Sequence, residues 1–371
     1  MANKQIHIVS FDVPYPADYG GAIDVYYRIK ALHQLGYKIT LHCYEYGRGM
    51  QSHLEEITEK VHYYQRPKRL LQVFSKRPFI VETRKSTELL QRLLADTHPI
   101  LLEGLHSTWV LENPKIQQKI TIVRTHNIEH EYYGALADKS GFLKRIYFRQ
   151  EAKKLEDYES ILKYASFILC ICEGDVHHSK KINPNVNVLP ASIPEISDSG
   201  YQETDRYALF HGNLSVVENV EAVKWIIEHI WKKDQSILPL KIAGKNPSEQ
   251  FIRYVAEAGM EIIPNPSQTD LDELLQKARI HVLVSDQSTG VKLKLLHALE
   301  TSGHVLVNSQ MVEGTDLGGV SIVCQTPDEF LLNIKEKQDH NLTVLEFENR
   351  LSFLKMKYDT VENCQIFEKL L

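Results

Sequence analysis

The feature that most constrains this chain is a repeated alternation of short apolar runs with longer segments of helical period. I-H-I-V-S (6–10) precedes a helical stretch from about Ile23 to Leu35 that Gly36 closes, and K-I-T-L-H-C (38–43) follows. P-I-L-L-E (99–103), K-I-T-I-V-R (119–124) and F-I-L-C-I (167–171) continue the series, with R-I-Y-F-R-Q-E-A-K-K-L-E-D-Y-E (145–159) as a long helix between the last two. Continuous apolar runs suit strands buried on both faces, so the alternation predicts a parallel sheet covered by helices on each side.

The pattern breaks between Pro190 and Arg206, where P-A-S-I-P-E-I-S-D-S-G concentrates turn-forming residues, and then restarts. Y-A-L-F-H-G (207–212), L-K-I-A-G (240–244), E-I-I-P (261–264), I-H-V-L-V (280–284), H-V-L-V-N (304–308) and S-I-V-C (321–324) read as strands. Helices are expected through 221–230 and 270–278. The expectation is two doubly wound α/β domains facing a central cleft, over 1–192 and 193–355. The C-terminal helix, about 356–371, is a candidate to pack back on the first. The 371 residues suffice for both cores.

A net charge of -5 excludes a global basic field for nucleic acid. Five scattered cysteines, an odd number, fit reduced thiols better than a disulfide framework, and Cys170 and Cys172 sit in an apolar run as small hydrophobes. The N-terminus shows no charged-then-apolar signal, and no apolar stretch approaches membrane-spanning length. A cytoplasmic protein is expected, or one peripheral on the inner face of the membrane.

S-T-G-V-K-L-K-L-L-H-A-L-E (288–300) raises a specific question. Lys292 and Lys294 fall in the first turn of an expected helix, where the backbone's partial positive charge disfavours cations. An anion in the preceding loop reverses that preference, since it meets free N–H groups and ammoniums together. The bland alternative, lysines solvated on a surface helix, has similar weight on spacing alone. The loop H-G-N-L-S-V-V-E-N (211–219) also joins a strand to a helix, with Gly212 permitting close backbone approach. In P-Y-P-A-D-Y-G-G-A (14–22), Gly20 and Gly21 would let a loop curl over a ligand.

On these segments the chain resembles a GT-B glycosyltransferase, specifically glycosyltransferase family 4. The resemblance rests on the P-x-x-x-x-G-G loop, R-T-H-N-I-E-H-E-Y-Y (124–133), C-I-C-E-G-D (170–175), F-H-G-N-L-S-V-V-E-N-V-E-A-V-K-W (210–225), L-K-I-A-G-K-N-P (240–247), G-V-K-L-K-L-L-H-A-L (290–299) and E-G-T-D-L (313–317), in that order. It implies retaining transfer from a UDP- or GDP-sugar to a glycan or lipid-linked acceptor, with no metal and no further cofactor, in surface polysaccharide biosynthesis. By position it implies Lys294 and Lys292 on the diphosphate, Gly212 and Asn213 in its loop, and Thr289 and Gly290 beside it. Pro264 and Asn265 fall where the base is held, and Gly20–Gly21 where a loop closes over the donor. His126 matches the histidine near the reacting sugar, with Arg124, Asn127 and Glu129 on the acceptor side.

One departure stands out. The family usually carries Glu where His297 stands, and that carboxylate accepts from the ribose hydroxyls; a neutral imidazole offers a single acceptor. The acidic residue usual eight positions earlier is Thr289, and Glu300 is the nearest replacement on the helix. A degenerate relative that binds nucleotide or a partner without catalysis is therefore the alternative.

Three other patterns compete. H-N-I-E-H (126–130) spells the H-x-x-E-H zinc-protease motif, which needs both histidines on one continuous helix; here His126 is expected to precede the helix, with Asn127 as its N-cap. Asp270 and Asp272 form a D-x-D, explained better as acids at a helix N-terminus than as metal ligands. Residues 60–92 hold nine Lys or Arg against two acids among aromatic and aliphatic residues, a solvated basic face or a contact with an anionic membrane.

Overall fold

The computed structural model describes residues 4–67, 70–196, 200–286 and 291–371. The chain divides into two compact units, Met1–Glu195 with Tyr358–Leu371, and Ile196–Lys357.

The first unit is built on a seven-stranded sheet: β1 (Gln5–Ser10), β2 (Lys38–Glu45), β3 (Lys60–Gln65), β4 (Ile100–Glu103), β5 (Thr121–Arg124), β6 (Phe167–Cys170) and β7 (Val186–Val188). Its order is β3-β2-β1-β4-β5-β6-β7, every pair parallel. Successive side chains on a strand point to opposite faces, and both faces are covered. Ile8, Leu101, Ile122 and Leu169 pack with Val25, Ile29 and Leu32 of α1 (Gly20–Gln34). Val9, Leu102, Val123 and Cys170 enter a second core with Leu89, Leu111 and Leu155. The helix Thr360–Cys364 returns beside α1, and Thr360 Oγ1 donates to Ile193 O at 2.9 Å.

The expected helix start at Ile23 moves back to Gly20, so Gly20 and Gly21 belong to α1 rather than to a loop. A Cβ on Gly21 would lie 2.8 Å from Phe11 Cζ and 3.2 Å from Tyr19 Cε2; its glycine makes room for two rings. Two further helices matter below, α2 (Glu129–Asp138) and α3 (Phe142–Tyr158), which pack as a hairpin.

The second unit has six parallel strands: β8 (Asp205–Asn213), β9 (Leu240–Lys245), β10 (Glu261–Pro264), β11 (Ala278–Leu283), β12 (His304–Val307) and β13 (Ile322–Val323), in the order β10-β9-β8-β11-β12-β13. Its helices include α4 (Val217–Ile226), α5 (Gln268–Lys277) and α6 (Leu293–Leu299). In both units the first strand lies between two strands reached in opposite directions, the arrangement that opens a crevice at the carboxyl ends of the central pair. That crevice follows β1 and β4 in the first unit, and β8 and β11 in the second.

Close approach of β8 and β9 requires Gly244. A Cβ there would stand 2.0 Å from Gly212 O and 2.8 Å from Leu214 Cγ. Since the obstacle is backbone, Gly244→Ala is expected to destabilise the unit by about 3 kcal/mol, the upper range for a steric clash in a packed core. Urea denaturation checks this; a loss under about 1 kcal/mol would mean the strands can part.

Candidate functional site

Two groups of polar residues occupy the carboxyl-end crevices, one in each unit. In the second unit, Gly212 and Asn213 end β8. Asn213 Oδ1 accepts from Ser215 N at 3.0 Å and Ser215 Oγ at 2.8 Å, which turns the chain toward α4. Asn219, in the first turn of α4, donates to Asn213 O at 2.9 Å. From the other side of the crevice, Lys294 Nζ donates to Asn219 Oδ1 at 2.8 Å and lies 5.0 Å from the centre of the buried Phe210 ring. Ser285, just past β11, donates to Glu218 Oε1 at 2.5 Å, and its backbone N–H donates to Asn308 Oδ1 at 3.0 Å. The loops after β8, β11 and β12 are thereby fastened to one another.

Helix α6 begins at Leu293, so Lys294 lies in its first turn, as expected, while Lys292 is at the N-cap position. Lys292 is partly buried; Thr289 and Gly290 lie outside the described residues. Burial is the main cause that lowers the Lys294 amine to about 8, with Lys292 adding to the effect and Glu218 opposing it. An amine so poised is a cation short of compensating charge, and an anion beside it restores its ordinary affinity for the proton.

His297 is partly buried in the last turn of α6, and burial lowers its pKa against the pull of Asp272. His211, buried on β8, is driven further down by burial and by His281, His297 and Lys294. The imidazoles are therefore neutral at pH 7, and His297 brings no charge to the crevice. Glu300 stands at the C-cap of α6. Pro264 and Asn265 are exposed at the end of β10, where Asn265 takes a φ of 51° and its N–H donates to Gly244 O at 2.8 Å. Asn265 Oδ1 also accepts from Asn246 N at 2.7 Å, so this corner is held by its own backbone.

In the first unit the crevice is backed by a buried charge network. Arg28 Nε donates to Glu103 Oε1 at 2.9 Å and Arg28 Nη2 to Asp24 Oδ2 at 2.9 Å. Arg124 Nη2 lies 3.5 Å from Asp24 Oδ2 and donates to Pro190 O at 3.2 Å. His126 Nδ1 stands 3.3 Å from Asp24 Oδ2 and its Nε2 3.1 Å from Glu103 Oε2. Burial alone would raise both carboxyls, but Arg28, Arg124 and His126 leave Asp24 well below the usual carboxylate range, and Arg28 and His126 lower Glu103. The expectation for Arg124 changes here: it is fully buried, so it supports the crevice from behind and cannot touch an acceptor. His126, expected beside the reacting sugar, has both ring nitrogens against carboxylates. Glu129 is buried, and burial lifts its carboxyl to about 7, with Glu159 adding to the rise and Arg84 opposing it. Asn127 is partly buried, and the N-cap of α2 is Ile128, not Asn127.

The competing motifs resolve into ordinary contacts. His126 precedes α2 and pairs with Asp24 and Glu103, whereas His130 faces Glu159 Oε2 at 3.3 Å, so the H-x-x-E-H residues serve different partners. Asp270 completes a capping box with Ser267, and Asp272 accepts from Gln268 Nε2 at 2.8 Å. The cations of 60–92 are mostly engaged: Arg84 is buried on Phe11 O and Ile80 O, Arg77 pairs with Glu112 and Glu82, Arg92 with Glu88, and Arg66 donates to Thr83. Lys68 and Arg69 lie outside the described residues. No helix among the described residues is long and apolar enough to cross a membrane.

The residues that sequence reasoning missed are Asp24, Arg28, Glu103, Glu218, Asn219, Ser285 and Asn308. Only Asp24 and Arg28 left a signal, as an opposite-charge pair one helical turn apart on an otherwise apolar stretch.

Comparison with known proteins agrees with this layout. Residues 205–335, most of the second unit, match the family described as Glycosyl transferases group 1. The chain is 26% identical over 383 residues to an "Uncharacterized 44.6 kDa protein in cps region" of Klebsiella pneumoniae, covering 96% of this chain and 97% of that one. Among solved structures, TarM is similar with a TM-score of 0.69 at 11% identity, over 99% of this chain and 98% of that one. HepE of Anabaena, in complex with UDP-glucose, is similar with a TM-score of 0.65 at 11% identity over 98% of each chain. Likenesses at such identity establish the fold, two Rossmann-like parallel-sheet domains of GT-B type. The family match lies wholly within the second unit.

Proposed function

We propose that this protein transfers a sugar, with retention and without a divalent metal, from a nucleotide-diphosphate sugar to a glycan or lipid-linked acceptor in surface polysaccharide biosynthesis. The carrying observation is the desolvated Lys294 amine lying across the crevice between β8 and β11 on Asn219. Negative charge grows on the leaving diphosphate as the glycosidic bond breaks, and a fixed ammonium stabilises it without reorganising. Lys292, Gly212, Asn213, Thr289 and Gly290 would complete the diphosphate site, and the backbone at Pro264–Asn265 would hold the base. On the first unit, His126 would stand near the reacting sugar, with Asn127 on the acceptor side. The relative from a cps region supports a role in polysaccharide synthesis, and the complex of HepE with UDP-glucose supports a UDP-sugar donor.

His297 favours a second reading, a relative that binds nucleotide without turnover, because a neutral ring replaces two carboxylate oxygens. A panel of UDP-, GDP- and ADP-sugars, assayed for hydrolysis and transfer, separates the two. Turnover of one donor, lowered about a hundredfold in Lys294→Ala, is expected. Nucleotide binding with no turnover across the panel would favour the second reading, and neither binding nor turnover would overturn both.

A further inference from the structure

The start of α3 leaves large apolar side chains in water. Phe142 is 75% exposed, Leu143 80% and Ile146 52%. The buried residues of this helix, Glu151 and Leu155, lie further along it; its first turns meet α2 on one side, through Phe148 on Tyr133, and leave the face of Phe142, Leu143 and Ile146 uncovered. The neighbours of the apolar group are cations: Lys139, Lys144, Arg145 and Arg149, with no acidic residue from Lys139 to Gln150. Of these, Arg149 lies 3.4 Å from Asp138 in a pair that is mostly exposed, and Arg145 Nε donates to Ala137 O at 3.3 Å. The N-cap, Gly141, supplies no side-chain hydrogen bond, and the first turn holds no acid to complement the helix dipole.

Bare amides, cations and exposed apolar rings on one helix end match the layered chemistry of a membrane surface, where phosphates lie above acyl chains. A symmetric contact with a second copy fits less well, since it would set these cations against themselves. We propose that the tip of the α2–α3 hairpin, through Phe142, Leu143, Ile146, Lys144, Arg145 and Arg149, docks on an anionic lipid bilayer. The proposal rests on this surface alone, so it stands or falls independently of sugar transfer. It supplies the partner that the basic stretch 60–92 suggested from sequence, on a different part of the fold.

The test is co-sedimentation of the full chain with phosphatidylglycerol–phosphatidylcholine vesicles and with pure phosphatidylcholine vesicles. Binding to the anionic vesicles alone, released by salt, is expected. Joint replacement of Phe142, Leu143 and Ile146 by Ser should weaken it at least about tenfold, and each of Lys144→Gln, Arg145→Gln and Arg149→Gln about fivefold. Leu345→Ser, an equally exposed apolar residue of the second unit, should leave it unchanged. Because every replaced side chain is exposed, folding is not at stake, and circular dichroism confirms it. No binding to anionic vesicles would overturn the proposal. So would binding that survives the triple replacement, or sedimentation showing a dimer that the triple replacement disperses.

Discussion

Lys294→Ala is expected to lower kcat/KM for the donor sugar by about two orders of magnitude, the range measured when one preorganised charge-stabilising donor is removed. The amine spans the crevice after β8 and β11, touches Asn219 at 2.8 Å and has lost much of its hydration. Its charge is therefore worth more to a diphosphate than that of a solvated lysine. The lowered pKa gives a second readout. In the free protein the amine loses its proton above pH about 8, so kcat/KM should fall about tenfold per pH unit beyond that point. Lys294→Arg keeps its charge throughout and should move that limb upward, although a guanidinium will not reproduce the same contact.

The sign of the stability effect is opposite to that of activity. The folded amine titrates at about 8 and the unfolded one near its ordinary value of about 10.4, so between these values the unfolded chain holds more protons. This group therefore makes the fold more stable as pH rises through that window. Lys294→Met removes the desolvated charge and should stabilise the protein at pH 7 by about 1 kcal/mol, a figure reduced for partial solvent screening, while donor turnover is lost. Equal loss of stability and activity in Lys294→Met would mean that the lysine is structural.

Arg28→Met is expected to cost the first unit about 3–5 kcal/mol, because it leaves Asp24 and Glu103 buried with one guanidinium to serve both. Arg28 donates to both carboxylates, and all three side chains are almost wholly buried. Lys38→Ala, which breaks an exposed pair with Glu59, should cost under about 1 kcal/mol and serves as the control. Acid should act on the same network. Asp24 and Glu103 are held below their ordinary values, so their contribution is fully present above the unfolded carboxylate range and is lost as pH falls below about 4. Urea denaturation at pH 7 and at about pH 2 reads both effects; a change of under about 1 kcal/mol in Arg28→Met would remove the network from the account of stability.

The strands were legible where both faces are buried, since Ile6–Ser10, Ile100–Glu103 and Ala278–Leu283 are mostly aliphatic despite a few polar residues. β3 was not, because an edge strand reading K-V-H-Y-Y-Q is only half covered, and its lysine, histidine and tyrosines looked like part of a basic surface. Gly20–Gly21 suggested a loop, because local sequence cannot show that Phe11 and Tyr19 fill the space a Cβ would take. Lys294 was legible because cations at a helix start violate a local rule. Its partner Asn219 was not, since 75 residues separate them and only the sheet order brings them together. The same holds for Glu103, unremarkable in its own segment, and for the pairing of His126 with Asp24 and Glu103, which only the fold brings together. Conversely, nothing in the sequence marked Phe142–Ile146 as bare, because only the packing of α3 shows which apolar residues its neighbours leave uncovered.

The central claim is that the crevice after β8 and β11 holds a pyrophosphate. A crystal structure of the protein soaked with UDP or GDP measures it most directly. The account predicts phosphate oxygens within hydrogen-bond distance of Lys294 Nζ, beside Gly212. A nucleotide bound with its phosphates elsewhere, while Lys294 keeps Asn219 as its partner, would contradict it.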